Sequence, residues 1–433
     1  PLIGGEAAFR RILQAVDRAE HSVWVTVAFL NESFRFPDGR GDLFEELDRA
    51  AGRGLDVRAL FWRSPRLYEL EQGGHFLGTA EDHAMLDERG ARFKARWDEL
   101  DKTYCHQQKS WLIDAGQGSE VAFVGGINLG NGSVTAHPFP AREIGHTQHI
   151  YCELAGPSAT DVHHNFAQRW KGARAEPLGT WPDASRVDDI PFPRELSERT
   201  GDIPVQMTRK VHRGFYADAT PAPGSQAFEL KDGESNVLRQ YIAAFEGARE
   251  AIYVENQTFV QDDVFDAAEA ALERGVRIIA MVPGKASNLV QMARRAPGGE
   301  TLFGRLGALG EHPLFSLVGL AANRPDGHED VYVHTKAAIV DDVWATIGST
   351  NIANRSFFGD TELNASFWHA DTVRKFRVEL LSAHHGSSLS ALSLREALDA
   401  LAERAVENRA RRDAGTPIDG HAFMLDAARW GEG

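Results

Sequence analysis

Cysteine is scarce in this chain: Cys105 and Cys152 are the only two in 433 residues. Two thiols cannot staple a scaffold, so the fold must rest on its own core. Neither a disulfide nor a free-thiol reading is favoured. Long apolar runs are missing as well. The longest, such as "VWVTVAFL" (23–30) and "VRIIAMV" (276–282), fall far short of a membrane span and fit buried strands. Positive charge is in deficit, with 47 Lys and Arg against 62 Asp and Glu, a formal net charge of −15. A protein that coats nucleic acid needs a basic face, so no nucleic-acid partner is expected, although a local cationic pocket is compatible with this balance. The chain starts at Pro1 with no charged and apolar leader and no initiating Met. The compartment stays open, with a trimmed, soluble and exported chain as the expectation.

What is present is a globular composition, 42% hydrophobic, on a length that suits two domains better than one core. The sequence also repeats itself. "HSVWVTVAFL" (21–30) reads as a buried strand, and "DLFEELDRAAGRGLDVRALFW" (42–62) as an amphipathic helix, a glycine stop and another strand. In the second half, "AIYVENQTFV" (251–260) and "VFDAAEAALERGVRIIAMVPG" (264–284) follow the same order. Leu43, Leu47 and Ala50 show the helical spacing. Gly54 and Gly275 stand where a helix end calls for a left-handed residue. Alternating strands and helices imply an α/β fold: two pseudo-symmetric lobes with mixed, mostly parallel sheets flanked by helices. The expected lobes are 1–174 and 215–433, joined by a Pro-, Asp- and Arg-rich crossover over 175–214. The charged segment 394–415 reads as an exposed, solvated helix.

Two stretches carry the chemistry. "CHQQKSWLID" (105–114) and "VHTKAAIVDD" (333–342) read as copies of one strand, with side chains alternating between faces. On that parity His334 and Lys336 share a face, as do Gln107 and Lys109. Asp114 and Asp341 have the opposite parity and read as anchors for neighbouring backbone. Each copy is followed by two small residues and an amide: Gly125, Gly126 and Asn128, then Gly348, Ser349 and Asn351. Small residues allow close approach to a ligand, and an amide can donate to an anionic oxygen.

These residues resemble the signature of the phospholipase D superfamily, H-x-K-x(4)-D followed by Gly-Gly or Gly-Ser and an Asn. The second copy matches in full. The first departs at Gln107, where the signature has His. "IYVENQTF" and "ELAGPSATDVHHNFAQRW" (153–170) also look like phospholipase D segments. The resemblance implies two motifs meeting across a pseudo-twofold axis in one site. One histidine attacks a phosphodiester to form a phosphohistidine. The other protonates the leaving alcohol and then activates water. Lys109, Lys336, Asn128 and Asn351 would bind the phosphate oxygens, without a metal or other cofactor. His334 would be the general acid or the remaining nucleophile.

Gln107 sits at the implied nucleophile position, and an amide is neither nucleophile nor base near neutral pH. The plain reading is loss of turnover. His106 as a stand-in is the alternative, although it is one residue out of register and reads as packing. Counting back from Gly156–Pro157, the acidic residue that orients the first histidine in the family is replaced by His149. Glu362 in "GDTELNAS" reads as the acid kept by the second half. His149 returning an imidazole to the site, or serving as an ordinary loop histidine, are both open.

The implied reaction is hydrolysis of glycerophospholipids at a membrane or micelle surface. It gives phosphatidic acid and a head-group alcohol, or transphosphatidylation when another alcohol replaces water. The rivals are a catalytically silent phospholipid- or phosphate-binding protein and a superfamily nuclease. A monomer is expected. "FRFPDG" (34–39) and "TAHPFP" (135–140) are candidate membrane-contact loops. Trp62, Arg63 and Pro65 read as site rim or strand-end packing, and Asn256 and Gln257 as substrate contacts or turn caps. Trp24 and Tyr253 read as core, and His163 and His164 as structural.

Overall fold

The computed structural model describes residues 1–63, 76, 78–100, 104–130, 132–140, 145–173, 189–216, 218–226 and 230–432. Pro65 and residues 174–188, which include the start of the crossover stretch, lie outside the described residues.

The first repeat folds as a seven-stranded sheet. Its strands lie in the order Leu2–Ile3, Ile150–Ala155, Val121–Gly125, Ser110–Ile113, Ser22–Val27, Asp56–Trp62, Lys94–Asp98. The second repeat builds the matching core of a larger sheet: Glu362–Trp368, Trp344–Gly348, Lys336–Val340, Ala251–Asn256, Arg277–Met281, Phe315–Arg324. Registers agree between them. Val23 pairs with Ile113 as Ile252 pairs with Val340. Helices cover the sheets. Leu43–Gly52 starts with a capping box in which Asp42 accepts from Glu45 N. Gly54 and Gly275 take the left-handed conformations expected, with φ of 88° and 85°.

The α/β class with mixed, helix-flanked sheets holds, but the sheets are not mostly parallel. Parallel pairing joins Ser22–Val27 to Asp56–Trp62 and Lys94–Asp98, and Ala251–Asn256 to Arg277–Met281 and Phe315–Arg324. Each motif strand pairs antiparallel on both sides. The reason is chain length. Ile113 connects to Val121, and Val340 to Trp344, through turns too short for a crossover helix.

Two further sequence readings change. Val205–Val211, within the supposed crossover, is a strand paired with Glu362–Trp368 through six residues. The helix Leu394–Asp413 is not a freely solvated element. Leu394, Ala397, Leu398, Leu401 and Ala405 are buried at helical spacing and join the core shared by both sheets. Alanine makes that stripe inconspicuous among charges.

Candidate functional site

The strands of the two motifs are shorter than their sequences imply, beginning at Ser110 and Lys336. Residues just before them reach across to the other half. Tyr332 and Val333 pair in parallel with Thr147 and Gln148. His334 N then donates to Gln148 O at 3.0 Å. In the counterpart, His106 pairs in parallel with Thr361, and Gln107 N donates to Thr361 O at 3.0 Å. These two matching exchanges decide which side chains meet.

The first exchange sets His149 against His334, with ring centroids 5.0 Å apart and planes at 78°. The second carries Glu362 to the first motif, where Gln108 Nε2 donates to Glu362 O at 3.1 Å. The pairing expected from sequence, His149 with the first motif and Glu362 with the second, is therefore interchanged. Each orienting position crosses to the opposite half because its strand end is paired there.

The motif anchors follow the parity argument. Asp114 accepts from the backbone N–H groups of Glu20, His21 and Ser22, and Asp341 from those of Arg249, Glu250 and Ala251. Both have positive φ, 55° and 53°, a conformation aspartate tolerates better than most residues.

Gln107, Asn128, His334 and Asn351 line a single cavity of about 390 Å³. Two lysines lie buried beneath it. Lys109 Nζ donates to Gln107 O at 2.6 Å and Gln107 Oε1 at 3.0 Å. Lys336 Nζ donates to His334 O at 2.7 Å and Gln257 Oε1 at 3.1 Å. Gly126 is where the halves touch. A Cβ there would stand 2.9 Å from Lys336 Cδ and 3.2 Å from Gly348 O. The glycines thus serve protein-to-protein approach rather than approach to a ligand. At Gly348 a Cβ would meet Asn364 Oδ1 at 2.1 Å.

Burial pushes every ionisable group in this site toward its neutral form, and the lysines add to that shift on the two histidines. Burial and then Lys336, His149 and Lys109 hold the His334 imidazolium well below its ordinary value, against a backbone hydrogen bond with Gly126. Burial and the two lysines do the same to His149. Burial lowers Lys109 to about 8, opposed chiefly by Glu362. Lys336 is depressed by burial and by Lys109. Burial raises Glu362 to about 8, with Asp360 adding to the shift. Asn128 Oδ1, Asn351 Oδ1, His334 Nδ1 and His149 Nδ1 are buried without a hydrogen-bond partner. A pocket that crowds cations and leaves polar atoms unpaired is suited to an anion, which would relieve both costs.

The other candidates fall into place around it. His106 does not line the cavity. It is buried against Asp98 (3.1 Å) and Thr361 Oγ1 (2.7 Å), and burial lowers it to about 4. Ser349 Oγ donates to Glu362 Oε2 at 2.5 Å, so it holds the acid rather than facing the cavity. Asn256 caps a turn through Thr258 N, Ile352 N and Thr350 O. Gln257 lines the cavity and ties Lys336 to Tyr332 Oη. Trp24 and Tyr253 are core. His163 bonds Glu120, and His164 bonds Thr220 O. Trp62 packs on Phe29, which also receives Lys109 Nζ at 5.8 Å from its ring centroid. Cys105 and Cys152 are buried and unpaired.

Sequence reasoning missed Phe29 and Tyr332. Tyr332 lies two residues before His334, on the same strand face, and stacks on its ring at 6.0 Å; that parity was the available signal. The proposed membrane loops do not expose their aromatic rings. Phe34, Phe36 and Phe139 are 2%, 3% and 6% exposed. Phe34 and Phe36 fill the first core around Phe9.

Family comparisons agree with this geometry. The model for phospholipase D matches residues 134–268, and that for the phospholipase D-like domain of cardiolipin synthase matches 241–383. The chain belongs to the phospholipase D superfamily. Phospholipase D alpha 1 of Arabidopsis thaliana is 25% identical over 84% of this chain and 61% of its own length. Cardiolipin synthase A of Pseudomonas putida (strain GB-1) is 22% identical over 82% of this chain and 62% of its own. The chain thus spans about three fifths of the length of these curated relatives. The crystal structure of phosphatidylserine synthase from Haemophilus influenzae has the same fold. It superposes with a TM-score of 0.58 over 99% of this chain and 87% of that one, at 12% identity.

Proposed function

We propose that this phospholipase D superfamily chain binds a glycerophospholipid by its phosphodiester, and that its parent reaction is hydrolysis to phosphatidic acid and a head-group alcohol. The observation that carries the reading is the composition of one cavity. Side chains from both motif copies form its polar end, while Val260, Leu289, Val290, Leu302 and Phe303 form an apolar wall. An amphiphilic phosphodiester suits both surfaces, and a nucleic-acid strand does not suit the second.

In the reaction a histidine nitrogen forms a bond to phosphorus as the P–O bond to the head-group breaks. The departing oxygen takes up a proton. Water then attacks phosphorus and frees the histidine, losing its own proton to a base. Lys109, Lys336, Asn128 and Asn351 neutralise the nonbridging oxygens in both steps. His334 is the only histidine that lines the cavity among the described residues, and it is kept neutral, as a nucleophile must be. On the opposite side Gln107 supplies neither acid nor base. Turnover is therefore low, and hydrolysis and transphosphatidylation share that limit.

A second reading is favoured by Gln107 itself. Its amide already accepts from Lys109, which makes the first half part of a stable, silent phosphodiester-binding site. Choline release from a phosphatidylcholine dispersion, with the native chain and with Gln107→His, tests both. Release only by the variant supports a silent site on a competent scaffold, and release by neither overturns the hydrolytic reading. Degradation of single-stranded DNA by the variant would point to the nuclease instead.

A further inference from the structure

We propose that the helix Asn288–Arg295, with Phe358 beside the same cavity, docks this protein onto a zwitterionic phospholipid surface. The inference rests on the reading of the cavity as a phospholipid phosphodiester site and adds how the substrate is reached.

Large apolar side chains are seldom exposed among the described residues, yet three of them gather on two of the helices that line the cavity. Leu289 and Met292 are each 64% exposed and Phe358 is 51% exposed. The helix Asn288–Arg295 has two faces. Val290 is buried as part of the cavity wall, while Leu289, Met292 and Ala293 face outward at helical spacing. Leu289 and Ala293 also line the cavity, so the outward apolar strip runs into its interior. The helix Asn354–Phe358 supplies Asn354, Arg355 and Ser356 to the cavity and leaves Phe358 outside.

The helix is fixed in place. Ser287 caps its first turn, and Arg294 donates to the carbonyls of Trp430 and Ala428. The outward apolar groups are therefore held out by structure.

Charge decides among occupants. The chain carries a net charge of −15, yet residues 285–299 hold Lys285, Arg294 and Arg295 and no acidic residue. Lys285 and Arg295 are exposed. An apolar strip bordered by basic groups fits the interface of a bilayer, where apolar side chains enter the acyl boundary and cations meet phosphates. The remaining negative charge disfavours a strongly anionic surface. A zwitterionic lipid is thus the matching partner, and the cavity opens where its phosphodiester would lie.

The test is flotation with phosphatidylcholine vesicles, alongside titration with dimethyl phosphate, which probes the polar end of the cavity alone. The native chain should float with vesicles. Met292→Glu/Phe358→Glu should partition at least about tenfold more weakly, since each side chain loses its apolar burial. Its dimethyl phosphate affinity should be unchanged, which also shows that it is folded. Val406→Glu, an exposed apolar site on the helix Leu394–Asp413, should float as the native chain does. Met292→Ser repeats the comparison with a smaller change. Equal flotation of the native chain and the double variant overturns the proposal. So does equal loss in Val406→Glu. A native chain that binds dimethyl phosphate but not vesicles overturns docking alone. Binding of neither overturns the phosphodiester reading with it. A dimer that the double variant dissolves, without vesicle binding, assigns the strip to a second copy instead.

Discussion

Replacing His149 with aspartate should raise the pKa of His334, which burial and its cationic neighbours now hold well below the ordinary imidazole value. The two rings are 5.0 Å apart and both buried. At that separation, and with an effective dielectric constant of about 20, a carboxylate stabilises the imidazolium by about 3.3 kcal/mol, or about 2.4 pKa units. The sign follows from the present arrangement. His149 now lowers His334, because two imidazolium charges repel. A carboxylate in its place attracts. Lys336 and Lys109, the cations that now act on His149, would favour the charged form of the introduced carboxylate. The assay is a histidine-resolved NMR titration of the native chain, His149→Asp and the neutral control His149→Asn. The expected result is a rise about 2 units larger in His149→Asp than in His149→Asn. A His334 resonance that titrates alike in His149→Asp and His149→Asn would refute the adjacency and the exchange of partners behind it.

Three more outcomes follow from the same structure. Gln107→His places an imidazole in the half that Glu362 reaches, and should raise choline release from phosphatidylcholine by about 10³-fold or more, the scale on which a covalent nucleophile acts; an unchanged rate would show that more than Gln107 silences the site. Asp114→Ala and Asp341→Ala each strip a charged acceptor from three backbone N–H groups and put alanine at positive φ, so each should lose about 3–5 kcal/mol in denaturant unfolding, with the Asn variants milder. Dimethyl phosphate keeps its single negative charge through neutral and alkaline pH. Its affinity should hold below pH 8 and fall above it, because Lys109, lowered to about 8, loses its proton there and the anion favours the protonated form; calorimetry at pH 6.5, 8 and 9.5 checks the direction.

The repeat, the α/β class and the motif residues were legible because their signals are local. Apolar strands such as Ser22–Val27, glycine stops at 54 and 275, and the matched Lys109–Asp114 and Lys336–Asp341 spacings need no partner to be recognised. The exchange of His149 and Glu362 was not legible, since it depends on pairing between Thr147–Gln148 and Tyr332–Val333, nearly two hundred residues apart. Local composition also misled. Phe34 and Phe36 lie among turn residues and look exposed, yet they stack with Phe9 inside the first core. Conversely, nothing in "NLVQMARR" distinguishes an outward apolar strip from a core helix until Val290 is seen to take the buried side alone.

The central claim is that both motif copies serve one anion. A crystal structure of the chain with inorganic phosphate or vanadate tests it most directly. The account predicts a single anion held jointly by Lys109, Lys336, Asn128 and Asn351, with His334 in line behind it. Separate anions on the two lysines, or one anion contacting only a single motif, would contradict it.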